Sequence, residues 1–403
     1  MNMAPKRTPN IVTLALVAAL GALAMNVFLP SLPSIQSYFG TTEATAQLAV
    51  SIYLAATAIL QLIIGPLSDK YGRRPILLIF LLLMLLATLV CIYAPNIEIF
   101  LFGRIIQASA AAGIVLSRAI VRDTVGSEDA ASKIAYVTMG MTLVPMFAPA
   151  LGGLLEEQFG WQASFWLIFG FGLLIVLIVW LDLNETHLNR GGSFATQFRS
   201  VPALLTSKRF MGYSATCAFS SGAYFAFLGG GALVAINYYE LSPSAFGLYH
   251  IYIALGYLIG NFLAGRFSRQ VGLNRMMMLG NLSVLAGLSL SLLLTQILVD
   301  SPAMFFGLVF FVGFGNGVTL PNANAGIVNV RPDIAGAASG LGGSMQIGGG
   351  AVLAAITGYL VDIETGPFYL LIMMIASIIC AILSTLYVIH IERLRQQEAC
   401  SGE

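Results

Sequence analysis

Gly65-Pro66-Leu67-Ser68-Asp69-Lys70-Tyr71-Gly72-Arg73-Arg74-Pro75 is a charged interruption between two apolar runs, each long enough to cross a bilayer. A weaker copy follows 200 residues later as Gly265-Arg266-Phe267-Ser268-Arg269-Gln270-Val271-Gly272-Leu273-Asn274-Arg275, with Gly65, Ser68 and Gly72 matched by Gly265, Ser268 and Gly272. The chain therefore reads as two related halves. In the first copy the glycines let the backbone turn and helices approach closely, and Asp69 sits where a neighbouring helix N-terminus can accept an anion.

Of the 403 residues 58% are hydrophobic and 9% charged, at a mean hydropathy of +0.87, whereas a soluble domain carries about 25% charged residues. Such a chain belongs in a membrane. The first apolar run, Ile11 to Leu29, follows Lys6 and Arg7, yet at about 19 residues it exceeds the ~7–15 of a signal-peptide core and further spans follow. It reads as a membrane helix. Cys91, Cys217, Cys380 and Cys400 lie far apart and suggest neither a disulfide framework nor a metal set. A net charge of +1 provides no basic face for nucleic acid.

Breaking the apolar runs at charges, prolines and turn clusters predicts twelve helices, at 11–31, 45–65, 75–94, 99–118, 133–154, 163–182, 211–236, 246–266, 275–297, 303–327, 336–360 and 367–390. The fold class is an all-α membrane protein of two pseudo-symmetric six-helix bundles. Residues 1–182 form the first bundle, 183–210 a cytoplasmic linker, 211–390 the second bundle and 391–403 a cytoplasmic tail. With both termini in the cytoplasm, every Lys and Arg except Arg104 falls in inner loops, tails or inner helix ends, while Glu43, Glu98, Glu156, Glu157 and Glu240 lie outside. That asymmetry obeys the positive-inside rule.

Arg104 is the one charged side chain deep in a predicted span, and Gln107 follows it one turn on along nearly the same face. Intramembrane charge is costly unless paired or hydrated, so it marks function, although a snorkelling arginine is the alternative. In the fifth span Pro145 and Pro149 remove ladder bonds, and Gly152 and Gly153 permit close helix approach. Tyr53, Tyr224, Phe227, Tyr257, Asn316 and Gln346 provide aromatic faces and a few polar groups, the lining of a small-molecule site. The glycine clusters at 313–317 and 348–350 lack the context of a dinucleotide loop and read as packing devices.

These motifs together resemble the major facilitator superfamily, and within it the Bcr/CflA drug-resistance exporters. The resemblance rests on the Gly65–Pro75 loop signature, Arg104-x-x-Gln107, the proline-glycine pattern from Val144 to Gly153, Met25 to Pro33, and Leu241 to Gly247. It implies that Gly65, Asp69, Gly72, Arg73 and Arg74 belong to a cytoplasmic latch between the halves, with Asp123 the partner of Arg73. It also implies that Arg104 and Gln107 serve proton coupling and the central cavity, and that Pro145, Pro149, Gly152 and Gly153 form the antiporter motif.

One position departs from the pattern: Asn26 stands where many relatives carry an acid, and an amide does not titrate. His250 is the best remaining titratable group, with an uncoupled interfacial histidine as the alternative. Coupling has moved elsewhere, or the cavity takes an anionic substrate at Arg104, or the protein is a uniporter. The implied activity is secondary active efflux of small drug-like or amphiphilic molecules by alternating access with proton antiport. The alternative is a facilitator or exchanger of an anionic metabolite or siderophore bound by Arg104. A monomer in the bacterial inner membrane is expected, with no cofactor, no metal and no nucleic-acid partner. No paired intramembrane carboxylates, metal spacing or nucleophile elbow suggests an enzyme.

Overall fold

The computed structural model describes residues 9–124, 137, 144–145, 147–186, 201–297, 301–331, 334–361 and 366–401. Helix α1 (Ile11–Asn26) continues through a 3-10 turn, Leu29–Ser31, into Leu32–Phe39. Then come α2 (Glu43–Tyr71), α3 (Arg73–Ile92) and α4, which runs Ile97–Gln107, through a 3-10 turn at Ala108–Ala110, to Ala111–Thr124. Helix α5 (147–159) and α6 (Gln162–Asp182) complete the first half. The second half holds α7 (Lys208–Leu233, ending in a π-turn, Val234–Tyr238), α8 (Pro243–Val271), α9 (Leu273–Ile297), α10 (Pro302–Val330), α11 (Ala335–Leu360) and α12 (Phe368–Ser401). Among the described residues ten helices are long and apolar enough to cross a membrane. The chain is a multi-pass membrane protein.

Local chemistry sets the boundaries. The side chains of Asn10, Thr42, Asn96, Ser207, Ser242 and Ser301 each accept a backbone N–H of the first turn they precede, satisfying donors that a helix leaves open. Gly72 at φ 105°, ψ 150° separates α2 from α3, and Gly272 at φ 91°, ψ 147° separates α8 from α9. The repeated motif is thus a repeated backbone conformation, one that favours a residue without Cβ.

Several boundaries differ from those predicted. The interruption at 65–75 is mostly helical, since α2 runs to Tyr71 and only Gly72 turns. The first span is broken at Val27–Ser31, where Pro30 has no N–H to continue the ladder. Helix α4 extends to Thr124, α7 begins at Lys208, and α12 carries the expected tail onward as helix to Ser401. Much of the predicted fifth span and of the linker lies outside the described residues.

One buried apolar cluster runs through both halves, from Leu20, Phe28, Met84 and Phe165 to Phe227, Phe305, Ala354 and Leu371. A second lies near Gly272, around Phe210, Met277, Ile327 and Val388. Leu86, Phe102, Leu173, Leu177, Trp180, Phe262 and Leu383 face outward, as they do on helices bathed in lipid.

Among the described residues the halves meet through α2 and α11, α5 and α8, and α1 and α7, among other contacts. α2 packs on α11, where Ser344 Oγ donates to Ala58 O at 2.8 Å and the position of a Cβ on Gly348 lies 3.6 Å from Ala58 Cβ. α5 packs on α8, with Gly153 against Pro243 O and Gly247 against Pro149 O. α1 meets α7 through Asn26 and Tyr224.

Candidate functional site

Arg104 is fully buried, between α1, α2 and α4. Its Nε donates to Ala49 O at 3.2 Å and its Nη1 to Ala24 O at 3.2 Å and to Gln107 Oε1. The guanidinium carbon lies 4.1 Å from the Phe28 ring centroid and 4.4 Å from that of Tyr53, with Phe165 at 6.0 Å. Cation–π attraction and carbonyl dipoles therefore take the part a counter-ion would play. Among the described residues no carboxylate pairs with Arg104 and its Nη2 has no hydrogen-bond partner. The snorkelling alternative does not fit this geometry: the side chain points into the first half.

The surroundings hold the guanidinium still. Gln107 Nε2 donates to Thr88 Oγ1 at 2.8 Å, and Thr88 donates to Met84 O at 2.7 Å, which ties α4 to α3. Tyr53 OH donates to Gly21 O at 3.1 Å, fixing the ring that covers the charge. Thr88 and Phe28 were not singled out in the sequence. A threonine in an apolar run carries no distinguishing signal, while Phe28 sits inside the Met25–Pro33 motif.

Asn26 is also fully buried. Its Nδ2 donates to Ala22 O at 2.7 Å and its Oδ1 accepts from Tyr224 OH at 3.0 Å. The bond crosses between the halves. Farther toward Gly40, Asn237 Nδ2 donates to Glu43 Oε1 at 3.1 Å and Ser244 N donates to Glu157 Oε1 at 3.0 Å. Glu157 thereby lies at the N-terminus of α8, and bonds from the Ser244 hydroxyl, then from the Ser244 backbone, hold its carboxyl below the usual glutamate range. The sequence showed Glu43 and Glu157 only as outer acids.

At the Gly72 end Arg73 lies 2.5 Å from Asp69 Oδ1 and 3.0 Å from Asp123 Oδ2. Glu185 Oε1 accepts from Arg73 N at 3.0 Å, so a residue just after α6 satisfies a first-turn donor of α3. Arg74 donates from Nη2 to Trp180 O at 3.0 Å. These contacts join α2, α3, α4 and the segment after α6 within the first half. Gly65 is helical with open space beside it.

The remaining expected residues are dispersed. Phe227 and His250 belong to an aromatic core with Phe246 and Phe306, His250 lying 5.4 Å from Phe227 and 4.7 Å from Phe246 between centroids. His250 is 2% exposed, with Nδ1 3.2 Å from Phe246 O. Ser220 Oγ lies 3.0 Å from Asn316 Oδ1 and 2.9 Å from Asn281 Oδ1, placing Asn316 in a polar knot inside the second half. Tyr257 and Gln346 are half-buried on α8 and α11. Gly152 packs against Val27 O, next to the break in α1. The geometry brings together Tyr53, Arg104 and Gln107, and separately Asn26 and Tyr224.

The Major Facilitator Superfamily model matches residues 14–239 and 216–399. The chain is 30% identical over 352 residues to a Bacillus subtilis protein named uncharacterized MFS-type transporter YdgK, covering 86% of this chain and 87% of that one. It is 29% identical to the bicyclomycin resistance protein homolog of Haemophilus influenzae, over 88% and 90% of the two chains. It is also 27% identical to multidrug resistance protein D of Escherichia coli, over 93% and 95%. A bacterial homologue of the human lysosomal transporter Spinster, solved inward-facing and occupied, superposes with a TM-score of 0.71 at 17% identity, over 97% and 98%.

Proposed function

This chain belongs to the Major Facilitator Superfamily as a transporter of the Bcr/CflA drug-resistance type, not an enzyme, and from that premise we propose that it exports small drug-like or amphiphilic molecules across the bacterial inner membrane. Twelve spans with both termini in the cytoplasm form two bundles that rock around a substrate near the midplane. In that orientation the bonds from Asn26, Glu43 and Glu157 to the second half close the outer side. The observation that carries this reading is the buried Arg104–Gln107 pair, covered by the rings of Phe28 and Tyr53, in the half that also bonds across the seam through Asn26. A charge this costly to bury is retained for work that an apolar residue could not do.

Protons are the expected exchange ion, and with Asn26 amidic they must be carried by a group other than the first-helix acid. The unpartnered Nη2 of Arg104 favours a second reading, exchange of an anionic metabolite or siderophore at that guanidinium. Efflux from proteoliposomes tests both. Arg104→Ala is expected to abolish transport while leaving a monodisperse, inserted protein; wild-type efflux in that variant overturns the proposal. A pH gradient that accelerates wild-type efflux supports proton exchange, and acceleration by an opposing gradient of an organic anion alone supports the second reading.

A further inference from the structure

Thr88 is the one hydroxyl or amide side chain in α3, and it is fully buried, as are Arg104 and Gln107. Helix α4 comes within its reach because of Gly103. A Cβ there would lie 2.7 Å from Cys91 Sγ and 3.3 Å from Ala87 O, both on α3.

The direction of every hydrogen bond from Arg104 to Met84 follows from which atoms carry hydrogen. A guanidinium has only donors, so Gln107 must turn its oxygen to Arg104 and its nitrogen away. That buried nitrogen then needs an acceptor, and the one it meets is Thr88 Oγ1 at 2.8 Å. A hydroxyl has a single hydrogen, and Thr88 donates its own to Met84 O at 2.7 Å. The hydroxyl lone pairs are left to Gln107. The same accounting sets the edge of the guanidinium: Nε is used by Ala49 O, Nη1 by Ala24 O and Gln107 Oε1, and among the described residues Nη2 alone has no hydrogen-bond partner.

We propose that Thr88 is a positioning residue for transport: acting through Gln107, it fixes which edge of Arg104 stays free. Without the hydroxyl, Gln107 in its observed pose holds a buried N–H with no acceptor, and an unmade hydrogen bond of that kind drives the amide out of the pose. Nη1 then loses the oxygen that occupies it, and the free edge is no longer set. The proposal rests on the reading of Arg104 as the centre of transport.

Efflux from proteoliposomes and thermal unfolding of the purified full-length protein test it. Thr88→Val keeps the branched shape and is more apolar, so Tm is expected to stay within about 2 °C while efflux falls about tenfold or more. Thr88→Ser keeps the hydroxyl and is expected to retain efflux. Added to Gln107→Leu, Thr88→Val is expected to lower the residual efflux by less than about twofold further, because a residue that acts through Gln107 has nothing left to act on. Wild-type efflux in Thr88→Val overturns the proposal, as does a Thr88→Ser protein as impaired as Thr88→Val, or a Thr88→Val loss undiminished in the Gln107→Leu background. Failure of the underlying reading appears separately, as wild-type efflux in Arg104→Ala; an inactive Arg104→Ala beside an active Thr88→Val overturns the role of Thr88 alone.

Discussion

At the residue scale, burial of a permanent charge is the controlling fact. Arg104 has no carboxylate partner among the described residues; two backbone carbonyls, an amide oxygen and two aromatic faces surround it. The Ala24 carbonyl is within reach because α1 ends at Asn26 and turns through Pro30. Asn26 is committed elsewhere, to Ala22 and Tyr224. Tyr224→Phe removes one neutral hydrogen bond across the seam, worth about 0.5–1.5 kcal/mol. The closed-to-open ratio is therefore expected to fall about 2- to 13-fold, read as spin-label distances across the Gly40 end; an unchanged distribution would remove Tyr224 from the gate. Asn26→Asp is expected to create or strengthen dependence of efflux on a pH gradient, and an unchanged profile would show that this position carries no proton.

At the scale of elements, the repeated glycine turns allow a paired comparison. Gly72 and Gly272 adopt nearly the same positive-φ conformation, but a Cβ at 72 would strike the Glu185 carboxylate while one at 272 meets open space. Alanine at either site takes on backbone strain of order 1–3 kcal/mol; Gly72→Ala adds the collision and displaces the bond to Arg73 N. Gly72→Ala is expected to lower Tm more than Gly272→Ala, and equal losses would assign the whole effect to strain. Helix α8 supplies a pH-dependent contact. The Glu157 carboxyl is depressed in the closed seam by the first turn of α8, so its stabilisation is fully present above the ordinary glutamate pKa of about 4.3 and disappears as pH falls through the lowered value. Distances between the halves at the Gly40 end are expected to lengthen on acidification below about pH 4.3, and Glu157→Gln is expected to weaken closure at neutral pH and blunt that response.

At the scale of the whole molecule, the apolar cluster that passes through both halves makes one body of two repeats, while among the described residues the cross-seam polar contacts are paired hydrogen bonds. Such an interface can separate without leaving charges stranded in lipid. The position of a Cβ at Gly348 lies 3.6 Å from Ala58 Cβ, inside the ~3.5–4.5 Å window for a disulfide. Ala58→Cys with Gly348→Cys, in a background lacking the four native cysteines, is expected to halt efflux when oxidised and recover it on reduction. Transport by the cross-linked protein would rule out separation of α2 from α11 as a required step.

The sequence by itself determined the membrane class, the repeat and most of the helices, because a bilayer demands long apolar runs and the two copies of the glycine turn need the same backbone. It also marked Arg104 and Gln107, since a charge in an apolar run is conspicuous without any structure. Only the tertiary structure decided what those side chains meet: carbonyls and rings at Arg104, Tyr224 at Asn26, an aromatic core at His250 and a polar knot at Asn316. Seam partners lie 87 to 286 residues apart in the chain, and helix orientation about its own axis is set by packing against neighbours, which apolar runs of nearly uniform hydropathy leave unspecified.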